Sequence, residues 1–168
     1  NAAEQTPVTI KFRKGIDADH LTFLDSGRIA QESGCVGVTL HARTAADLYS
    51  GHADWDAIAE LVQTIDIPVF GNGDIWEPWD AVRMIRHTGA AGVEIGRGCL
   101  GRPWLFADLV SVLEGKGPQF TQPTLELVAK VMIDHATRLL EFYDEDENTV
   151  IRRFRKHAGW YVAGWPVG

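Results

Sequence analysis

Two glycine-rich segments carry the residue pattern with the clearest chemical use in this chain. Residues 67–75 read IPVFGNGDI and residues 92–104 read GVEIGRGCLGRPW, so each apolar run stops at Gly-x-Gly. Without side chains, such a loop lets backbone N–H groups approach an anion, and the helix that follows adds its positive N-terminus. Because the two segments end successive strands, they predict one shared phosphate site at one edge of a parallel sheet.

Polar side chains lie within or just after the predicted strands, where parallel barrels carry their functional residues. They are Lys11, His41, Arg43, Asn72, Asp74 and Arg97. Lys11 lies inside an apolar strand and is either an edge lysine or the partner of a bound anion. His41 is either a satisfied core histidine or a site residue. Gly96-Arg97-Gly98 offers a guanidinium that can bind phosphate with two hydrogen bonds, and residues 72–74 form a turn at the same edge.

The elements that must position these residues follow a β-α repeat. Predicted strands start near residues 8, 37, 67 and 92, a spacing typical of parallel α/β folds. Four such units make half of a (β/α)8 TIM barrel, which needs about 250 residues. We expect Asp17 or Asp19 to cap the first helix and Asp54 to cap the second. The predicted fold is therefore a partial TIM barrel, with its C-terminal half in residues 1–117.

Residues 118–168 have a different character, and we expect an incomplete α-helical domain there. Residues 124–142 show the apolar stripe of an amphipathic helix, and an acidic run at 144–147 precedes a basic helix. The basic side chains of that helix are Arg152, Arg153, Arg155 and Lys156. They form either a solvated face that balances the acidic run or an edge that follows a phosphate backbone.

Composition narrows the classes of function. The chain has 168 residues, a net charge of -7 and two cysteines, so nucleic acid could be met only by a local basic patch. Two cysteines give no disulfide framework, and no apolar run is long enough to span a bilayer, which predicts a cytoplasmic protein without membrane partners. His41, His52, Asp54 and Glu94 could form a mixed metal site, but Asp54 is better used as a cap, so we predict no metal.

The ordered motifs resemble one known family. They are TIKFR at 9–13, LHART at 40–44, YSGHADW at 49–55, PVFGNGDI at 68–75, IGRGCLGRPW at 95–104 and RKHAGWY at 155–161. This succession resembles the bacterial tRNA-dihydrouridine synthases, and most of all their B-type branch. The resemblance covers the second half of an FMN-binding barrel and the start of a helical tRNA-binding domain.

The resemblance implies a flavin enzyme. NADPH would reduce FMN, and the flavin would deliver hydride to C6 of a tRNA uridine, giving 5,6-dihydrouridine. Lys11 and His41 would lie at the pyrimidine end of the flavin, Asn72, Gly73 and Asp74 would hold ribityl and phosphate, and Gly96 and Arg97 would complete the phosphate cradle. By the same resemblance, Arg43 would approach the tRNA or its unstacked target base. The basic helix, with Arg152, Arg153, Arg155 and Lys156, would bind tRNA.

Departures from the family pattern limit what the chain is expected to do alone. The family's catalytic cysteine lies in an Asn-x-Gly-Cys-Pro segment that neither Cys35 nor Cys99 matches, so we expect no catalytic residue here and an inactive fragment. Glu94 and Arg102 also stand where the family more often has an apolar residue and asparagine. Two alternatives stay open: a TIM-barrel enzyme of a phosphorylated metabolite, and an inert half-barrel that self-associates through exposed strand edges.

Overall fold

The computed structural model of this protein describes residues 6–119 and 123–165. All residues singled out above as site candidates lie within these ranges. The chain forms two compact units, Asn1–Gly98 and Cys99–Gly168. The boundary between residues 117 and 118 that we placed from the sequence stays a prediction.

The first unit alternates strands and helices. Its elements are β1 (Thr9–Gly15), α1 (Phe23–Glu32), β2 (Gly37–Thr44), α2 (Trp55–Thr64), β3 (Val69–Asn72), α3 (Pro78–Thr88) and β4 (Gly92–Glu94). The four strands form one sheet in the order β1-β2-β3-β4, and every neighbouring pair is parallel. The predicted α/β class with a parallel sheet is confirmed.

The helix caps follow the sequence prediction at one helix and depart from it at another. Asp54 caps α2, because its carboxylate accepts a hydrogen bond from the Ala57 N–H at 3.3 Å. The predicted cap of α1 was wrong, since Thr22 occupies the N-cap position and no side-chain hydrogen bond caps the helix there. The Asp17 carboxylate instead accepts from the backbone N–H groups of Asp19 and His20, which closes a turn within the loop before the helix.

One face of the sheet packs against the helices. Val38 and Leu40 of β2 are fully buried there, together with side chains of α2 and α3. Gly71 of β3 also faces the helices, because a Cβ at this position would overlap the sulfur of Met84 and lie 3.3 Å from Ile58. Since side chains alternate along a strand, the intervening residues of each strand point to the opposite face.

That opposite face is polar and concave. Lys11 of β1 and Glu94 of β4 form an ion pair of 3.0 Å between Nζ and Oε1, although two strands lie between them. In a flat sheet the outer strands would lie about 14 Å apart, and side chains stand away from the sheet rather than along it. The pair therefore indicates that the sheet curls toward this face. The ring of Phe70 fits between Gly37 and Gly92, where a Cβ would come within 3.5 and 3.0 Å of it.

The second unit is helical. It contains α4 (Leu105–Leu113), α5 (Leu125–Phe142) and α6 (Glu147–Tyr161). Helix α6 begins four residues earlier than the predicted basic segment, because Asp146 caps it by accepting from the Thr149 N–H at 3.1 Å. Val128 of α5 and Val150 of α6 are fully buried. The two helices are also joined by a hydrogen bond of 3.2 Å between His135 Nδ1 and the Tyr161 hydroxyl. Among the described residues, no helix has the length and apolarity to cross a membrane.

Candidate functional site

A cavity of about 490 Å³ lies at the carboxyl ends of the four strands. Its lining includes every residue that we predicted to bind a cofactor. These are Lys11, His41, Asn72, Gly73, Asp74, Gly96 and Arg97. The strands bring them together from positions as far apart as residues 11 and 97, as expected for a site at one edge of a parallel sheet.

The two glycine-rich loops touch each other beside the cavity. A Cβ on Gly98 would overlap the carbonyl oxygen of Ile75, so only glycine allows the loop after β4 to approach the loop after β3 this closely. A Cβ on Gly96 would have nothing within 4 Å. Gly98 is therefore needed for contact between the loops, whereas Gly96 leaves open space. The sequence predicted a shared site from the two loops but could not assign these different roles.

Arg43 and Asp74 form the ion pair that holds these loops in place. Arg43 Nη2 lies 2.8 and 2.9 Å from the two carboxylate oxygens of Asp74, and the same guanidinium donates to the carbonyl oxygens of Ser50 and Gly51. The Arg43 side chain is only 2% exposed. Asp74 also accepts from the Ala53 N–H at 2.6 Å. One buried pair thus joins β2, the loop after it and the loop after β3.

The electrostatics of this pair favour a charged carboxylate. Burial by itself raises the pKa of Asp74, but the Ala53 N–H and the Arg43 guanidinium outweigh it and bring the pKa below its usual value. Asp74 adopts a positive φ of 56° in this tight loop. The predicted role of Arg43 at the tRNA stays a prediction. In this geometry most of its donors are occupied by the protein itself.

Asn72 also forms a side-chain hydrogen bond within the protein. Its side chain is largely buried, and Nδ2 donates to the carbonyl oxygen of Glu94 at 2.7 Å. This bond fixes the end of β4 against the end of β3. Asn72 consequently orders the strand ends that carry the glycine-rich loops.

The cavity has the opposite charge to the chain as a whole. Four cationic side chains line it, against the two carboxylates of Asp74 and Glu94. The cations are Lys11, Arg13, Arg43 and Arg97. Burial first, and then these four cations, lower the pKa of His41 to about 4, so the imidazole is neutral at pH 7. The site therefore offers cations and a neutral ring to an anionic ligand.

Three lining residues were missed by the sequence reasoning. They are Arg13, Tyr49 and Trp76. Arg97 Cζ lies 4.5 Å from the ring centre of Tyr49 and 5.3 Å from that of Trp76. Arg13 Cζ lies 5.9 Å from the ring centre of Tyr49. Arg13 could have been predicted, because it lies two residues after Lys11 and therefore on the same face of β1. No local signal identified the two aromatic residues.

The basic residues of α6 differ in their contacts. Arg153 forms an ion pair with Glu145 at 2.7 Å and lies over the Tyr143 ring, so it balances the acidic run as one of our two interpretations held. Arg152, Arg155 and Lys156 are exposed and share one face of α6 through their i, i+3 and i, i+4 spacing. These three remain candidates for contact with a phosphate backbone.

Two of the four residues considered for a metal ion make other contacts. Asp54 caps α2 and accepts from Lys14 Nζ at 2.8 Å, and Glu94 pairs with Lys11. Within residues 6–119 and 123–165, no three His, Cys, Asp or Glu side chains are grouped to hold a metal ion. Within the described residues, neither Cys35 nor Cys99 forms a disulfide, and neither lines the cavity.

Comparison with known proteins shows the family to which the chain belongs. The family Dihydrouridine synthase (Dus) matches residues 1–168. The chain belongs to this family. A probable tRNA-dihydrouridine synthase of Mycobacterium tuberculosis is 53% identical over 163 residues, which cover 96% of this chain and 41% of that protein. The tRNA-dihydrouridine synthase B of Pseudomonas syringae is 41% identical over 168 residues, covering 98% of this chain and 48% of that protein.

This dihydrouridine synthase chain therefore spans less than half the length of these relatives. A solved chain from an Amycolatopsis orientalis BexX/CysO complex overlaps 72% of it and 50% of its own length, with 22% identity and a TM-score of 0.43. The family match confirms the resemblance that the ordered motifs suggested.

Proposed function

We propose that the protein containing this chain is an FMN-dependent tRNA-dihydrouridine synthase that reduces uridine to 5,6-dihydrouridine in tRNA with NADPH as the reductant. The observation that carries the proposal is the cationic cavity at the strand ends, whose lining includes all seven predicted cofactor residues. The names of the relatives support the reaction and the tRNA substrate. The same family assignment favours this enzyme over one that acts on a phosphorylated metabolite.

The cavity fits FMN in charge and in size. Its volume of about 490 Å³ lies within the usual range for ligand sites, roughly 300 to 1,000 Å³. Gly96 leaves open space where a side chain would otherwise stand, and Arg97 provides a guanidinium beside it. We infer that Gly73, Gly96 and Arg97 hold the phosphate and that Asn72 and Asp74 order the loops around the ribityl chain.

Lys11 and neutral His41 would lie at the pyrimidine end of the flavin. When bound, FMN supplies hydride to the uracil ring. The chain's own contribution is charge, because an ammonium at Lys11 stabilises negative charge on the reduced ring. A neutral His41 can donate or accept one hydrogen bond there without adding charge. Arg43 would act by holding Asp74 and the loop carbonyls in place. We keep its contact with tRNA as a further part of the proposal.

The architecture of the whole protein belongs to the same proposal. We interpret β1 to β4 as half of a (β/α)8 barrel, with residues 118–168 as the start of a helical tRNA-binding domain. Neither Cys35 nor Cys99 lines the cavity, so we assign the proton donor to a part of the full-length protein outside these 168 residues. The isolated chain is then inactive. Exposed Val8 and Ile10, at the edge strand β1, would favour its self-association.

A cytoplasmic location is part of the proposal as well. Within the described residues the two cysteines form no disulfide, as is usual for proteins of reducing compartments. In the cytoplasm the protein would also have access to its proposed substrate, tRNA.

The cofactor is tested by titrating the flavin-free full-length protein with FMN and following the quenching of flavin fluorescence. Riboflavin, which lacks the phosphate, is the matched control. We expect riboflavin to bind about 100-fold more weakly, because it loses the charge-assisted hydrogen bonds of the cradle. The loaded protein should form dihydrouridine in tRNA when NADPH is added, as measured by mass spectrometry. Absence of FMN binding would refute the proposed function.

The tRNA interface is tested by changing Arg152, Arg155 and Lys156 together to alanine in the full-length protein. Each lost phosphate contact should lower the slope of log Kd against log salt by about 0.7 to 1, so we expect a total decrease of roughly 2 to 3. The measurement is tRNA binding at several salt concentrations. Arg153→Ala is the control, and it should change the slope less because Glu145 already pairs with Arg153. An unchanged slope in the triple variant would instead favour an enzyme of a phosphorylated metabolite.

A further inference from the structure

The ion pair between Lys11 and Glu94 places a carboxylate inside a cavity that otherwise attracts anions. Glu94 Oε1 lies 3.0 Å from Lys11 Nζ, and both side chains are nearly half exposed. Around the pair, the same face of the sheet carries Thr39, His41, Phe70 and Asn72, which are uncharged at pH 7. It also carries Arg13, whose guanidinium donates to the carbonyl oxygens of Thr44 and Leu48. Within the cavity lining, Glu94 is thus the acidic residue that faces Lys11.

In the part of the chain that the structure describes, the Glu94 carboxylate is held by Lys11 and not by several donors, as Asp74 is. Asp74 is locked by Arg43 and the Ala53 N–H, whereas the backbone of Glu94 is held by Asn72 and its side chain extends to Lys11. Because Asp74 is already neutralised by Arg43, the carboxylate of Glu94 decides how much positive charge Lys11 offers to a ligand. A carboxylate beside an ammonium cancels most of its field at a distance.

We propose that Glu94 is a positioning residue that sets the balance between oxidised and reduced cofactor by pairing with Lys11. The inference rests on the proposed function, since it takes FMN as the ligand of the cavity. Reduction adds negative charge to the flavin ring. With Glu94 charged, Lys11 stabilises this added charge less, so reduced FMN is bound less tightly relative to oxidised FMN than it would be by Lys11 alone. Glu94 therefore holds the reduction potential of the bound flavin down and makes it a stronger hydride donor.

The test is the reduction potential of FMN bound to the full-length protein, measured by spectroelectrochemistry. Glu94→Gln keeps the size of the side chain and removes its charge. We expect it to favour reduced over oxidised FMN about tenfold more than the wild type does, with allowance for solvent screening of the half-exposed pair. For a two-electron couple this corresponds to a rise of about 30 mV. Glu94→Asp retains the carboxylate and should restore a potential close to that of the wild type.

Glu60→Gln is the matched control. Glu60 is exposed on α2, so the variant loses the same charge away from the cavity, and its potential should not change. A rise of equal size in this control, or an unchanged or lowered potential in Glu94→Gln, would overturn the inference. A wild-type protein that binds no FMN would overturn the proposed function and this inference with it. Bound FMN with the same potential in wild type and Glu94→Gln would overturn the inference alone.

Discussion

Replacing Arg43 by methionine in the full-length protein is expected to lower the free energy of unfolding by about 3 kcal/mol. The side chain is 2% exposed and pairs with both oxygens of Asp74. Methionine fills a similar volume but leaves the Asp74 carboxylate with the Ala53 N–H and, 4.0 Å away, the exposed His52 imidazole. It also leaves the carbonyl oxygens of Ser50 and Gly51 without the Arg43 donor. Urea unfolding of the variant and the wild type measures the loss.

The matched control is Arg28→Met. Arg28 also forms an arginine–aspartate pair, with Asp25 at 3.0 Å, but both side chains are at least half exposed. Exposed pairs contribute roughly 0 to 1 kcal/mol, so this variant should unfold almost like the wild type. Combining Arg43→Met with Asp74→Asn should cost less than the sum of the two single changes, because each single change leaves the other partner unpaired. Additive losses would contradict the assignment of the pair as a unit.

Replacing Gly98 by alanine is the second change with a large expected effect. The new Cβ would overlap the carbonyl oxygen of Ile75, and this atom belongs to the backbone and cannot turn aside as a side chain can. The loops after β3 and β4 would have to separate. We expect a loss of about 2 kcal/mol in the free energy of unfolding and at least tenfold weaker FMN binding. Urea unfolding and FMN titration of the full-length protein measure the two effects.

Gly96→Ala adds a methyl group that can crowd the ligand but does not crowd the neighbouring loop. Its Cβ would meet no atom of the protein within 4 Å, and its φ lies outside the positive range that disfavours alanine. The variant should therefore be as stable as the wild type or slightly more so. Any loss of FMN affinity in this variant then reports the ligand's approach to the loop. Gly98→Ala with wild-type stability would show that the two loops do not depend on their close contact.

The parallel sheet and the cavity at its carboxyl edge could be predicted because they depend on patterns local to the chain. Strand-length apolar runs, glycine-rich ends and helix-length spacers recur at a regular interval, and parallel strands necessarily present their carboxyl ends together. The cap of α2 was also found, because Asp54 lies directly before an apolar helix. The cap of α1 was missed, since Asp17 forms a competing turn in the preceding loop.

The roles of individual charged residues could not be obtained in the same way. Arg43 and Asp74 are 31 residues apart and Lys11 and Glu94 are 83 apart, so no local pattern marks either pair. The resemblance placed Arg43 near the tRNA, and this stays a prediction. Only the structure shows that its side chain is buried and hydrogen-bonded to two loops. Tyr49 and Trp76 likewise meet Arg97 only through the folding of separate loops.

The order of strands and helices, and the set of residues at the strand ends, could be predicted from the chain alone, because periodicity and backbone requirements act within each segment. The ordered motifs indicated the family. Which charges are neutralised inside the protein and which remain for a ligand became known from the fold, because the partner that fixes a side chain's charge lies on another strand or loop. The curl of the sheet determines which of these side chains can reach each other.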